Sequence, residues 1–404
     1  MYGCFLIRIP SKLKQLLLTG QLWWNYYQKH TGNLRDVVLD NINRILACGR
    51  LFMGYATWLC SNEQCSHSKK ICMGCKSRFC NTCGKKLTDQ WIEKQRVLLP
   101  DTEWQHITFT MPCELWAFFL LNRELLKPLS AIAAKAIQTV ARKKGITPGI
   151  FTALHTFGRD LKWNVHIHLS VTRGGITEDS QHWKALFFSR EAIMPQWRYG
   201  MINLLREAYK SGTLTLPDTL QANCHNLTDF NRFLNAHYQK SWIVHFAQAT
   251  KTPKATISYL GRYLKRPPLA MSRLKHYDGN TVVFEYLDHK SKRYLNFTCE
   301  GEEFLDRLIQ HIPEKGFQMI RYYGFLANRV RSTLLPKVYT LLNQPERNAL
   351  TITYAGLLKS SFGLDPHQCI LCQSAMVFAG ITRGRPQREL HKYSQALALA
   401  KPIR

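Results

Sequence analysis

The sequence predicts an α+β fold: a central, largely antiparallel sheet with flanking helices, joined to a small cysteine-rich module. Three observations carry that reading. Runs with period-two alternation, two of them adjoining as a hairpin, are mixed with stretches of helical periodicity, and no regular βαβ alternation links them. Six of the 13 cysteines crowd between Cys60 and Cys83. The composition, 45% apolar and 20% charged over 404 residues, is that of a chain long enough for two or three packed cores.

Taken in order, residues 1–55 read as a mostly helical N-terminal segment, with apolar positions at Val37, Val38, Ile42, Ile45 and Leu46. Residues 56–95 hold most of the cysteines and form the module. A larger domain over 100–330 opens with a strand from His106 that ends at Pro112. A long helix follows, from about Glu114 to Lys144, closed by Gly145 and Pro148. Thr152–Phe157 and Val165–Thr172 read as a hairpin joined through 158–164. Helical pattern returns over about 181–210 and 227–240. Trp242–Ala249 reads as a strand, and Ala255–Leu264 as a short helix stopped by Pro267 and Pro268. Strands near 281–287 and 293–299, a helix over 301–311 and a strand over Phe317–Tyr323 complete the domain. The tail, 335–404, is basic and carries one Cys-x-x-Cys. There is no internal repeat.

Lys plus Arg number 55 against 27 Asp plus Glu, a net charge of +28. A surplus of that size repels itself in the folded state and calls for an anionic partner. The 12% aromatic content favours nucleic acid over a membrane surface, because bases stack on rings while cations follow the phosphates. The longest apolar run, Leu115–Leu121, stops at Asn122 and Arg123, and Arg8 and Lys12 interrupt any leader-like core at the N-terminus. The expectation is a cytoplasmic protein, nucleoid-associated if bacterial, with no membrane partner. In a reducing compartment clustered cysteines imply metal rather than disulfides.

Cys72/Cys75 and Cys80/Cys83 are Cys-x-x-Cys pairs, a spacing that lets one tight turn offer two thiolates to a tetrahedral ion. With Cys60 and Cys65 they are candidate ligands of structural zinc, and His67 could add a nitrogen. One grouping joins Cys60 and Cys65 to Cys80 and Cys83, with Cys72 and Cys75 as alternative or second-site ligands. Cys369 and Cys372 make half a site that needs a partner, either the N-terminal module or His391. Lys76, Arg78, Lys85 and Lys86 stud the module and are candidates for gripping a DNA backbone.

In Val165-His-Ile-His-Leu-Ser, period two puts His166 and His168 on one strand face and Val165, Ile167 and Leu169 on the other. Two imidazoles so placed can hold a divalent metal. Tyr259 and Tyr263, in Tyr-Leu-Gly-Arg-Tyr-Leu, share a face at helical spacing. Arg262, Lys265 and Arg266 give that stretch a charge suited to phosphates. Spacing alone would equally suit surface histidines and packing tyrosines; the combination, behind a cysteine module in a basic chain, is rare.

That combination resembles the rolling-circle insertion-sequence transposases of the HUH, two-tyrosine kind, with their zinc-binding N-terminal region. The motifs that carry the resemblance are Cys75-Lys-Ser-Arg-Phe-Cys-Asn-Thr-Cys-Gly, Leu154-His-Thr-Phe-Gly-Arg-Asp-Leu, His166-Ile-His and Tyr259-Leu-Gly-Arg-Tyr-Leu. Weaker echoes are Arg321-Tyr-Tyr-Gly and Asp365-Pro-His-Gln-Cys-Ile-Leu-Cys, and the likeness runs from about residue 35 to 380. It implies an HUH-endonuclease-like sheet that presents the histidines to Mg²⁺ or Mn²⁺, beside structural Zn²⁺. It also implies that Tyr259 and Tyr263 are nucleophiles that cleave and join single-stranded element ends and target through a 5′-phosphotyrosine. The third ligand varies in such proteins. His155 is the choice, because cross-strand pairing could set it beside His166 or His168, while Asp160 and Glu178 remain open. The alternatives are a replication initiator or relaxase with the same nicking chemistry, and a non-catalytic zinc DNA-binding regulator.

Overall fold

The computed structural model describes residues 4–7, 11–250, 267–288, 291–347, 353–363 and 365–399. At the N-terminus, β1 (Cys4–Ile7) precedes helices Lys12–Leu18, Leu22–Lys29 and Asp36–Ala47. The helices turn Leu13, Leu16, Leu17, Trp23, Val38, Ile42, Ile45 and Leu46 into one core. That core also holds Phe284, Phe304, Leu305 and Leu308, far along the chain. β2 (Gly54–Cys60) and β3 (Ser68–Cys72) then form an antiparallel pair, with β1 parallel to β3. Helix Asn81–Leu98 follows.

The largest sheet is antiparallel throughout. It contains β4 (Trp104–Phe109), β5 (Ile146–Phe157), β6 (Trp163–Thr177), β7 (Trp183–Ala185), β8 (Val244–Phe246) and β12 (Ile320–Gly324). Its order is β12-β5-β6-β4-β8, with β7 on the free part of β6. One face carries Ile107, Phe109, Ile150, Leu154, Val165, Ile167 and Leu169 into a core with helices Leu129–Arg142 and Arg190–Lys210. Among the described residues, one end of the other face has an apolar cover. There Trp104, Phe151, Ala153 and Ile176 meet Trp91 of helix Asn81–Leu98 and Leu335, Val338 and Tyr339 of helix Arg331–Leu341.

Several elements differ from the sequence expectation for identifiable reasons. The expected helix over 114–144 is two helices, Trp116–Leu121 and Leu129–Arg142: the first ends where Asn122 leaves helical geometry (φ −111, ψ 73), and the second starts after Pro128, which needs no N–H there. Pro148, expected to close that helix, instead lies in β5 at a register shift before Ile150, where a missing N–H is tolerated. The helix expected from 181 begins at Arg190, where Ser189 accepts from the Ala192 N–H, and the residues before it supply β7. β1 carried no signal in the sequence.

A separate antiparallel sheet has the order β11-β10-β9, from β9 (Leu274–Tyr277), β10 (Thr281–Leu287) and β11 (Tyr294–Glu300). Helix Gly301–Ile309 leads back to the main sheet at β12. The tail then returns to the N-terminus. β13 (Met376–Arg383) pairs antiparallel with β2, and helix Gln387–Leu399 lies on helix Asp36–Ala47, with Phe52 stacked on Tyr393 at 4.2 Å. Among the described residues no helix is long and apolar enough to cross a membrane.

The glycine of Arg321-Tyr-Tyr-Gly has a specific task. Gly324 has φ +62, and a Cβ there would sit 1.7 Å from the Pro148 carbonyl oxygen. Gly316 has φ +77 and open space where its Cβ would go. Each alanine substitution is expected to cost about 1–3 kcal/mol for the left-handed backbone. Only Gly324→Ala adds a collision that pushes β12 off β5. Urea unfolding should therefore show a larger loss for Gly324→Ala than for Gly316→Ala; equal losses would remove the close approach as the reason for this glycine.

Candidate catalytic face and cysteine clusters

The other end of that face of the main sheet is lined by histidines, with His155 buried and His166 and His168 half-buried. On β6 the period-two geometry sets His166 and His168 opposite the apolar row of Val165, Ile167 and Leu169. The β5–β6 register pairs His155 directly with His166, and the β4–β6 register pairs Thr108 with His168. One ligand nitrogen from each of His155, His166 and His168 lies within 4.8 Å of the others. His166 Nδ1–H donates to the Asn164 carbonyl at 3.0 Å, which leaves Nε2 as the lone-pair nitrogen facing His168 Nε2 at 3.1 Å. Burial pulls His166 down to about 4 and holds His168 well below its ordinary value. Both rings are therefore neutral at pH 7, the form a metal binds.

A fourth histidine, read from the sequence only as the start of a strand, stands behind this trio. His106 Nε2 is 3.0 Å from His168 Nδ1, and His106 Nδ1 is 3.1 Å from Ser170 Oγ. If His168 ligates through Nε2, its Nδ1–H donates to His106 Nε2, and His106 Nδ1–H donates to Ser170. Such a chain fixes tautomer and ring orientation. Nothing in the local sequence around His106 marks this role; only the pairing of β4 with β6 creates it. Asp160 and Glu178, the other candidates for third ligand, lie elsewhere. Asp160 caps its own turn by accepting from the Lys162 N–H, and Glu178 follows the far end of the fifteen-residue β6.

The cysteines fall into two clusters, and not in the grouping of Cys60 and Cys65 with Cys80 and Cys83. Cys48, Cys75, Cys80 and Cys83 are all buried together. Their sulfurs are separated by 3.6 Å (Cys48–Cys83), 3.6 Å (Cys48–Cys80) and 3.8 Å (Cys75–Cys83). Four thiolates about 2.3 Å from a tetrahedral zinc are about 3.8 Å apart, so the set has the right size. Cys60 and Cys65 lie instead with Cys369 and Cys372. The seven residues of β2 separate the clusters; at about 3.3 Å per residue that is roughly 20 Å, too far for one ion. Cys72 belongs to neither cluster: it ends β3, buried opposite Tyr55. Cys48, at the end of helix Asp36–Ala47, takes the place that the Cys72/Cys75 spacing had offered to Cys72. His391 is also elsewhere, beside Asn43 and Tyr27.

Among the candidate DNA contacts, Lys76 is exposed, Lys85 is exposed and paired with Asp89 at 3.0 Å, and Lys86 is half-buried. Arg78 is half-buried and burial lowers it to about 10, so it is a weaker candidate for a surface grip. Tyr259, Tyr263, Arg262, Lys265 and Arg266 lie outside the described residues. The chain on either side of them is placed: Thr250 bridges to Trp104 at the main sheet, and the Leu269 carbonyl accepts from the Asn81 amide at 2.8 Å, where helix Asn81–Leu98 begins.

Known proteins resemble both regions of the chain. A family described as "Transposase zinc-binding domain" matches residues 19–111, and one described as "Putative transposase" matches 149–333. The chain is 41% identical to the transposase for insertion sequence element IS801 of Pseudomonas savastanoi pv. phaseolicola, over 98% of this chain and 96% of that one. It is 28% identical to a Sinorhizobium fredii protein named "Putative transposase y4qJ", over 79% of this chain and 85% of that one. No solved structure matches. The initiator and regulator readings find no support in these relatives. With a zinc-binding domain, a transposase domain and a near full-length relative in agreement, the chain belongs to the IS801/IS91 family of rolling-circle insertion-sequence transposases.

Proposed function

We propose that the protein cleaves and joins single-stranded DNA on an HUH-like catalytic face. His155, His166 and His168 hold a divalent metal there, and Tyr259 and Tyr263 are the nucleophiles. The observation that carries this is the meeting of three imidazole nitrogens within 4.8 Å on one sheet face, in a transposase chain. A divalent ion bound there supplies Lewis-acid polarisation of the scissile phosphate and a template for its orientation. A phenolate attacks phosphorus, the P–O3′ bond breaks, the 3′-oxygen leaves as a hydroxyl, and the 5′ end stays esterified to the tyrosine. Arg262, Lys265 and Arg266 favour the phenolate, whose ordinary pKa is about 10, and grip the DNA with Lys76, Lys85 and Lys86. An all-imidazole donor set suits Mn²⁺ better than Mg²⁺, which prefers oxygen ligands. Cys48, Cys75, Cys80 and Cys83 take the structural Zn²⁺ of the zinc-binding domain.

His166→Ala or His168→Ala is expected to abolish cleavage of single-stranded element ends while leaving DNA binding measured without added metal intact, since phosphate contacts supply that affinity. A gel-shift assay paired with a nicking assay in Mn²⁺ checks this, and full nicking by the double variant contradicts it. The histidine environment also fixes a pH dependence. Protons compete with a metal at an ordinary imidazole as pH falls through about 6.5. Burial holds His166 at about 4, so that competition begins only near there. Mn²⁺ affinity measured by calorimetry is expected to change by less than about twofold between pH 8 and 6; a tenfold loss over that range refutes the neutral site.

The tyrosines are tested by mapping the covalent adduct. The Tyr259→Phe, Tyr263→Phe double variant should form no protein–DNA adduct yet still bind single-stranded DNA, because Phe keeps ring and packing. Peptide mapping of the wild-type adduct should find DNA on one of these two residues; DNA on another tyrosine overturns the assignment.

A further inference from the structure

We propose that Cys60, Cys65, Cys369 and Cys372 form a second structural zinc site, built from both ends of the chain, so that the zinc-binding region is completed by the C-terminal tail. The zinc-binding family match stops at residue 111, far short of Cys369. The structure nevertheless brings the two half-sites together by ordinary strand pairing. β13 lies antiparallel on β2 with Met376 opposite Cys60, and the Ser61 N–H donates to the Ala375 carbonyl at 2.9 Å. Just before β13 the tail makes a tight turn: Gln373 N–H donates to the Cys369 carbonyl at 3.1 Å, and Cys369 N–H to the Ser374 carbonyl at 2.8 Å. That turn aims Cys369 and Cys372 at the loop between β2 and β3.

The sulfur geometry fits one ion. Cys60 and Cys372 sulfurs are 3.4 Å apart, and those of Cys65 and Cys369 are 3.9 Å apart; these bracket the edge of about 3.8 Å expected for a zinc tetrathiolate. Polar neighbours reach two of the sulfurs. His67, buried beside the cluster, has Nδ1 3.0 Å from Cys369 Sγ, and the Asn62 N–H donates to Cys60 Sγ at 3.5 Å. Lys69 is only 1% exposed, and its ammonium donates to the Gln368 carbonyl at 2.6 Å and the Asp365 carbonyl at 3.3 Å. A buried ammonium is costly without negative charge nearby. The Asp365 carboxylate already serves Lys359 at 2.9 Å. Four thiolates around Zn²⁺ carry two net negative charges, and Lys69 is the buried cation placed to offset part of them.

The proposal concerns metal content and does not depend on the catalytic reading, so its test does not use activity. Native mass spectrometry of the full-length protein is expected to find two zinc ions, and Cys369→Ser, Cys372→Ser to find one. Alkylation of the wild-type protein guards against a variant that fails to fold. Cys60, Cys65, Cys369 and Cys372 should resist iodoacetamide with zinc present and become reactive together when a chelator removes it. Two zinc ions in the double variant, free alkylation of these four in the zinc-loaded protein, or a Cys60–Cys372 disulfide in freshly purified protein would each overturn the site. Because alkylation is read residue by residue, loss of the Cys48 cluster alone would be distinguished from loss of this one.

Discussion

The register between β5 and β6 is the constraint on which the histidine-bearing face depends. Side chains alternate along a strand, so a slip of one residue would turn His166 and His168 into the apolar core and push Ile167 and Leu169 outward. The register that avoids this is also the one that sets His155 opposite His166. The burial of Val165, Ile167, Leu169 and Leu154 on one side therefore determines the histidine geometry on the other. Hydrophobic free energy of roughly 1.5–3 kcal/mol for each fully buried Leu or Ile holds a polar arrangement that would not assemble by itself. His106 depends on the same logic one strand further on, through the pairing of β4 with β6.

Helix Asn81–Leu98 connects this sheet to the cysteines. Its first turn begins beside Cys80 and includes Cys83, so the cluster fixes its start. Further along, the Trp91 indole N–H donates to the Tyr322 hydroxyl at 3.1 Å, and that hydroxyl donates to the Gln95 amide oxygen at 3.1 Å. Trp91 also meets Phe151 edge-on. The helix thus covers one end of the histidine-bearing face. A metal at its N-terminus would act on the catalytic sheet by holding this cover in place.

Much of this was legible in the sequence, and the parts that were not share a cause. The antiparallel α+β class, the hairpin and the His166/His168 face follow from period-two alternation, which is local. The cross-strand place of His155 followed from adjacency in a hairpin. What the sequence could not display were partnerships between distant residues. Cys48 is separated from Cys75 by a helix end and two strands; for Cys369 and Cys372 the sequence offered the N-terminal module as one of two partners, without saying which of its cysteines. The spacing of Cys72 and Cys75 instead pointed to a pair that the end of β3 pulls apart. His106 looked like any residue opening a strand, because its partner is set by strand order. Breaks at Asn122 and Ser189 were locally encoded, yet helical periodicity continued past them and concealed them.

The histidine trio contains no carboxylate, and that has a consequence for how ion and substrate meet. A cage of neutral rings leaves both positive charges of a divalent ion unbalanced. Such an ion is held weakly in the empty enzyme, and a phosphodiester beside it supplies the missing negative charge. By reciprocity each ligand then strengthens the other by the same factor. A transposase built this way would gather its metal chiefly when a DNA strand is already in place, so that cleavage competence arrives together with the substrate.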